Sequence, residues 1–127
     1  MHKNSAAKKT LPALTDEAFK LIAARFRVLS EPMRLKILHA LMEGEMTVGQ
    51  LVAHTAAGQA NISKHLGILQ EAGMVARRKE GMCAYYRIAD ESVFEHCEKI
   101  CLGLGHHFEA RQQAVRRFAA QHRPKSR

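Results

Sequence analysis

Cys97 and Cys101 stand four positions apart in the stretch SVFEHCEKICLGLGHHF. On a helix that spacing puts two side chains on one face, a turn apart. Two thiolates so placed suit soft, thiophilic ions: trivalent arsenic or antimony, mercury, cadmium or copper(I). Cys83, in GMCAYY, is a candidate third sulfur, as is a thiol from a partner chain. His96, His106 and His107 are spare nitrogen donors. The same thiols also admit redox or persulfide chemistry. Plain packing is a third reading, because free cysteines behave as small hydrophobes. With three cysteines in the chain, an odd count argues against a disulfide framework.

A second set of residues lies in QANISKHLGIL, positions 59–69. Ile62, Leu66 and Leu69 follow the i, i+4, i+7 spacing of a helix with one buried face. Gln59, Asn61, Ser63 and Lys64 bear hydrogen-bonding groups and only one charge. The major groove of B-form DNA admits one α-helix, and there short amides and hydroxyls reach base edges. His65 belongs either with this set or with the packed face. Arg77, Arg78 and Lys79 form a basic cluster suited to phosphates or a neighbouring minor groove. Tyr85 is placed to donate to a phosphate. Enzyme chemistry finds no support: the chain shows no phosphate-cradling glycine loop, no paired carboxylates and no nucleophile–base–orienter set. Ser63-Lys64-His65 has suitable residue types, but consecutive helix positions point in different directions.

The elements that must position these groups follow from local signals. Thr15-Asp16-Glu17 opens a helix running to about Leu29, with a capping hydroxyl and acids in the first turn. Ser30-Glu31-Pro32 restarts one, Ser30 as its cap. Met33, Leu35, Ile37, Leu38, Leu41 and Met42 give that helix a broad buried face, and Gly44 ends it. Thr47 begins a third helix with Val48, Leu51 and Val52 inward. Ala56-Ala57-Gly58 then turns tightly into the amide-faced helix, which stops at Gly73. Two helices joined by a short turn make a helix-turn-helix. Residues 74–79 extend, Glu80-Gly81 turns and residues 84–88 return, which is a β-hairpin wing. Asp90 or Ser92 caps a last helix, whose Val93, Cys97, Ile100, Leu104 and Phe108 form a heptad-like stripe. A stripe this apolar needs a partner surface, and a second copy of itself is the economical one. The expected fold is therefore mainly α with a β-hairpin wing: a winged helix-turn-helix, homodimeric through its terminal helices. The expected layout is a disordered basic arm (1–14), a DNA-binding domain (15–90), a dimerisation helix (91–120) and a basic tail (121–127).

Composition agrees. The chain has 127 residues, 46% hydrophobic and 25% charged, with no Trp. That is enough for one domain with a modest aliphatic core. The net charge of +8 points to a polyanionic partner, most simply nucleic acid. Residues 1–15 contribute Lys3, Lys8 and Lys9, and residues 106–127 contribute Arg111, Arg116, Arg117, Arg123, Lys125 and Arg127. No apolar stretch is long enough to cross a bilayer. No secretion pattern follows the basic N-terminus, so a cytoplasmic chain is expected. An architectural DNA-binding protein without an inducer and a winged domain that docks on another protein are the competing classes. Sequence preference and molecular size discriminate them.

The stretches LSEPMRLKILHAL, GQANISKHLGILQEAGMVARRKEG and YYRI resemble the ArsR/SmtB family of winged-helix repressors, from about Leu29 to Ile88. The resemblance implies a homodimer on an inverted-repeat operator in double-stranded DNA, released by an inducer that is often a metal or metalloid ion. The Cys-Val-Cys-Asp stretch of many arsenic- and cadmium-sensing members falls on Thr47, Val48, Gly49 and Gln50, so its thiols are absent. Of the zinc-sensing set on the last helix, Asp90 and His106 fit, but Ser92 and Gly103 replace the other ligands. That leaves Cys97 and Cys101, with Cys83, as candidate ligands for arsenite, antimonite, cadmium or mercury.

Overall fold

The computed structural model describes residues 13–121. Most of the expected N-terminal arm and residues 122–127 of the expected tail lie outside the described residues, with Lys3, Lys8, Lys9, Arg123, Lys125 and Arg127 among them. The chain divides into two units, one ending at Ala89 and one beginning at Asp90.

The first unit holds α1 (Asp16–Leu29), α2 (Pro32–Leu41), α3 (Val48–Thr55), α4 (Gln59–Glu71), β1 (Val75–Glu80) and β2 (Cys83–Ile88). Thr15 caps α1 as its sequence predicts, its side chain accepting from the Ala18 N–H at 3.1 Å. The start of α2 differs from expectation. Ser30 closes α1 instead, its hydroxyl donating to the Arg27 carbonyl at 2.7 Å. Glu31 takes the cap, Oε1 accepting from the Met33 N–H at 2.8 Å. The reason is Pro32: a residue before proline is driven out of the helical region, and Glu31 is accordingly extended at φ −104, ψ 120. Thr47 opens α3 with a full capping box, exchanging hydrogen bonds with Gln50.

Helices α2, α3 and α4 pack on one another and on the hairpin. Their shared core is aliphatic: Ile37, Leu51, Ile62, Leu66, Leu69 and Met74 are fully buried. The buried face of α2 is narrower than expected. Ile37, Leu38, Ala40 and Leu41 are buried, but Leu35 and Met42 are exposed. At about 100° per residue, both project well off the arc centred on Ile37 and Leu41.

The hairpin is antiparallel, in register from Val75↔Ile88 to Glu80↔Cys83. Its loop is therefore Gly81-Met82, with Glu80 in the strand and not in the turn. Gly81 has φ +62, and glycine in the first place of a two-residue loop is the II′ pattern, which matches the strand twist. Met46 adds a short bridge to the free edge of β2, exchanging backbone bonds with Tyr86 at 3.0 and 2.8 Å. That bridge ties the wing's base to the residues just before α3.

The second unit is one long helix, α5 (Ser92–Gln121). Asp90 serves its start, Oδ1 accepting from the Ser92 N–H at 3.0 Å. Val93 is buried, whereas Ile100, Leu104 and Phe108 are half or more exposed. The stripe continues beyond the expected residues to Val115 and Phe118, both also exposed. Positions 93, 104 and 115 repeat at eleven residues, as do 97 and 108. Positions 93 and 100, and 97 and 104, keep the expected seven-residue spacing, so both periods run along the same stripe. Among the described residues no helix is long and apolar enough to cross a membrane.

Candidate nucleic-acid interface

Helix α4 buries Ile62, His65, Leu66 and Leu69 and leaves Gln59, Asn61, Ser63 and Lys64 exposed. Helical geometry refines which of these lead. With about 100° per residue, the point opposite the buried face falls on Ala60, Lys64 and Gly67, with Ser63 and Asn61 flanking it and Gln59 nearer the buried edge. Ala60 and Gly67 are exposed too. Sequence reasoning passed them over because they carry no hydrogen-bonding group. Their signal was their size: tiny side chains in the middle of an exposed face let a helix approach another surface closely. Gly67 has nothing within 4 Å of where a Cβ would stand.

His65 is the correction within this set. It is only 5% exposed, and its Nδ1 lies 3.1 Å from a guanidinium nitrogen of Arg34. A side chain directed into the core cannot reach a base edge, so His65 belongs to the packed face.

The start of α4 is also distinctive. Gly58 occupies the cap position and supplies no side-chain hydrogen bond. The first N–H groups of α4 are thus left open at the end where the helix dipole is positive. The turn before it is fixed by Ala56, in the left-handed region at φ 61, its N–H bonded to the Val52 carbonyl. Thr55 backs this turn by donating to the Leu51 carbonyl at 2.8 Å and accepting from the Ala57 N–H at 3.3 Å.

The basic cluster on β1 splits by strand alternation. Arg78 sits opposite Tyr85 in register, with its guanidinium carbon 4.7 Å from the ring centroid. Its Nε donates to both carboxylate oxygens of Glu45, at 3.0 and 2.9 Å. A further nitrogen contacts Glu45 at 2.9 Å, and another pairs with Glu80. Glu45's hydrogen bonds, followed by those of Glu80, push the Arg78 pKa further up. The hydrogen bond from Arg78 holds the Glu45 carboxyl below its ordinary value. Arg78 is therefore paired within the chain and ties the wing to the α2–α3 connection. Arg77 and Lys79 point to the other face, opposite Tyr86 and Ala84. Both are exposed and form no ion pair among the described residues. They are the wing's available cations. Tyr85 is half-buried beneath Arg78.

Cys97 is half-buried and Cys101 exposed on α5, and Cys83 is exposed on β2. Burial pushes the Cys97 thiol pKa up. Among the described residues, no group of three or more histidines, cysteines and acids converges to hold a metal ion. One chain thus presents two sulfurs a helical turn apart, without a third ligand gathered around them.

A helix-turn-helix whose second helix exposes short polar groups, followed by a hairpin carrying free cations, is a DNA-reading arrangement. Comparison with known proteins agrees. The family model for "bacterial regulatory protein, arsR family" matches residues 31–77. A biofilm growth-associated repressor of Xylella fastidiosa is 33% identical over 91 residues, covering 68% of this chain and 80% of that protein. The chain belongs to the ArsR family. Like other ArsR-family members it is a DNA-binding transcriptional regulator and not an enzyme. Among solved structures, the homodimeric winged helix-turn-helix DNA-binding domain of a possible ArsR-family regulator from Mycobacterium bovis superposes with a TM-score of 0.68 at 28% identity. That match covers 79% of this chain and 95% of the other. A probable mercury resistance operon repressor of Streptomyces lividans is 37% identical over 68 residues, 54% of each chain.

Proposed function

We propose that this ArsR-family chain is a homodimeric repressor that reads an inverted-repeat operator and leaves it when a thiophilic ion binds at Cys97 and Cys101. The observation that carries the DNA-reading part is the two-faced α4: one side is locked into the aliphatic core, and the other exposes Gln59, Asn61, Ser63 and Lys64 around two very small residues. These polar groups read base edges, and Arg77 and Lys79 neutralise phosphate beside them.

The dimer part rests on surface that a lone chain leaves wet. Helix α1 exposes Phe19, Leu21, Ile22 and Phe26, and α5 exposes Ile100, Leu104, Phe108 and Val115. Large unpaired apolar faces mark interaction surfaces, and the M. bovis relative is homodimeric. In a two-fold dimer the two α4 helices enter successive major grooves about 34 Å apart.

The inducer part rests on donor chemistry. Two sulfurs a turn apart fit a soft ion, and the S. lividans relative is named for mercury resistance. In a symmetric dimer the partner's equivalent thiols are the natural source of further ligands. When bound, the ion supplies a cross-link between thiolates. Cys97 and Cys101 would hold it, so α5 is the element whose setting it constrains. The spacing of the two α4 helices then shifts, with a coupling of about 1–3 kcal/mol.

The test is a footprint and an affinity titration on a duplex that the chain itself selects from a random-sequence pool. Each measurement is made on reduced protein with and without mercuric ion, cadmium or arsenite. A two-fold symmetric footprint that weakens with one of these ions is expected. Indifferent coating of all duplexes would overturn the operator reading, and equal affinity with every ion would overturn the sensor reading.

A further inference from the structure

The core of the first unit contains one polar side chain among the described residues, His65, on the helix that faces DNA. Its partner, Arg34, makes contacts with two other elements as well. Arg34 Nε donates to the Val28 carbonyl at 2.6 Å and Nη2 to the Arg27 carbonyl at 3.5 Å. Both carbonyls belong to the last turn of α1. Nη1 lies 3.1 Å from His65 Nδ1. One guanidinium on α2 thus joins the end of α1 to the middle of α4.

The chemistry fixes the state of His65. A guanidinium only donates, so Nδ1 must accept. The ring is then neutral, with its proton on Nε2. The charged groups around it act in both directions. Burial is the largest influence and lowers the pKa, Arg34 on α2 and Lys64 on α4 lower it further, and Glu31 at the head of α2 opposes them. The end of α1 faces the pair with backbone carbonyls.

The position of this bond gives it a role beyond packing. Apolar contact is non-directional: Ile62, Leu66 and Leu69 hold α4 against the core but specify its rotation only loosely. A hydrogen bond from a charged donor is directional. It sits beside Lys64, at the centre of the exposed face, and Ser63, which flanks it. A small roll of α4 about its axis would carry those side chains off the base edges.

We propose that Arg34 and His65 form a polar latch that sets the rotation of α4, which makes both positioning residues for DNA recognition. The inference rests on the reading of α4 as the DNA-contacting helix.

Three chains test it on the duplex selected by the wild type: wild type, His65→Asn and His65→Leu. Asparagine keeps an acceptor close to the position of Nδ1 but does not titrate. Leucine keeps bulk and removes the acceptor. Affinity is measured by anisotropy from about pH 7.5 to about pH 5.5, the range in which a histidine titrates, with circular dichroism as a check on folding. At neutral pH, His65→Leu should bind about tenfold or more weakly and select a looser set of sites. His65→Asn should stay within about threefold of wild type. Because the pKa is lowered from 6.5, the latch is intact at neutral pH and is lost as the pH falls through the folded value. Wild-type affinity should therefore fall on acidification more steeply than that of His65→Asn. A folded His65→Asn that binds about tenfold or more weakly than wild type would overturn the latch, even if His65→Leu failed to fold. So would wild-type affinity and site choice in a folded His65→Leu. A wild-type chain that selects no duplex would instead overturn the DNA-contacting assignment of α4.

Discussion

The two units of this chain handle apolar surface in opposite ways. In the unit ending at Ala89, α2, α3 and α4 bury Ile37, Leu51, Ile62, Leu66 and Leu69 in one shared core. In α5, residues of the same types recur along thirty positions and stay mostly exposed, Val93 excepted. The first pattern belongs to a module that closes its own core. The second leaves an apolar face open on α5. Exposed apolar surface is thus concentrated on α1 and α5, and Cys97 and Cys101 lie on α5, on the side proposed for assembly.

The sharpest way to break that contrast is to truncate one residue of each kind. Leu66→Ala opens a cavity in a closed core and should destabilise the fold by about 2–5 kcal/mol, read by denaturant unfolding. Leu104→Ala should leave the unfolding of the first unit unchanged at low protein concentration and weaken self-association, read by sedimentation. If Leu104→Ala costs the fold as much as Leu66→Ala, the two units are not energetically distinct.

The second prediction asks whether the assembly side also holds the sensor. Cys97→Ser and Cys101→Ser should bind the selected duplex as the wild type does, yet lose the ion-dependent release, a difference of about 1–3 kcal/mol in coupling. A drop in ion-free affinity would place these thiols in the packing of α5 instead.

A third prediction sharpens the recognition side. Lys79→Ala and Arg77→Ala should each lower affinity for all duplexes and reduce the salt dependence by about one ion. Arg78→Ala should change the salt dependence less, because Arg78 is already paired with Glu45 and Glu80. The opposite ranking would return Arg78 to the phosphate contacts.

The smallest expected effect lies at the head of α4. Gly58→Asp supplies the missing cap, and the added Cβ has nothing within 4 Å. Stability should rise by a few tenths of a kcal/mol, while DNA affinity falls because a carboxylate then stands where phosphate is expected. Thermal unfolding and anisotropy on the same samples check both signs.

The legibility of each region follows from the range of the forces that shape it. The stripe Ile62, Leu66, Leu69 was readable because helical period alone sorts those positions, and the caps at Thr15 and Thr47 were readable because their partners lie within one turn. Ser30 and Glu31 were misassigned although the cause was local: the restriction that Pro32 places on its predecessor outweighs the better capping hydroxyl. The partners of His65 and Arg78 were not readable, for a different reason. They are 31 and 33 positions away, and no local pattern shows that a histidine will meet an arginine or that a wing cation will already be paired.

By itself the sequence determined the order of elements, the two-faced character of α4 and the presence of an exposed apolar stripe at the C-terminal end, because each follows from periodicity, capping and turn chemistry within a few residues. Only the tertiary structure decided which polar groups remain available. Folding brought Arg34 to His65 and Glu45 to Arg78, which placed one histidine in the packed face and gave one wing cation carboxylate partners. Side chains of the same type meet different fates because charge and hydrogen-bond pairing depend on distance in space, and distance along the chain does not encode it.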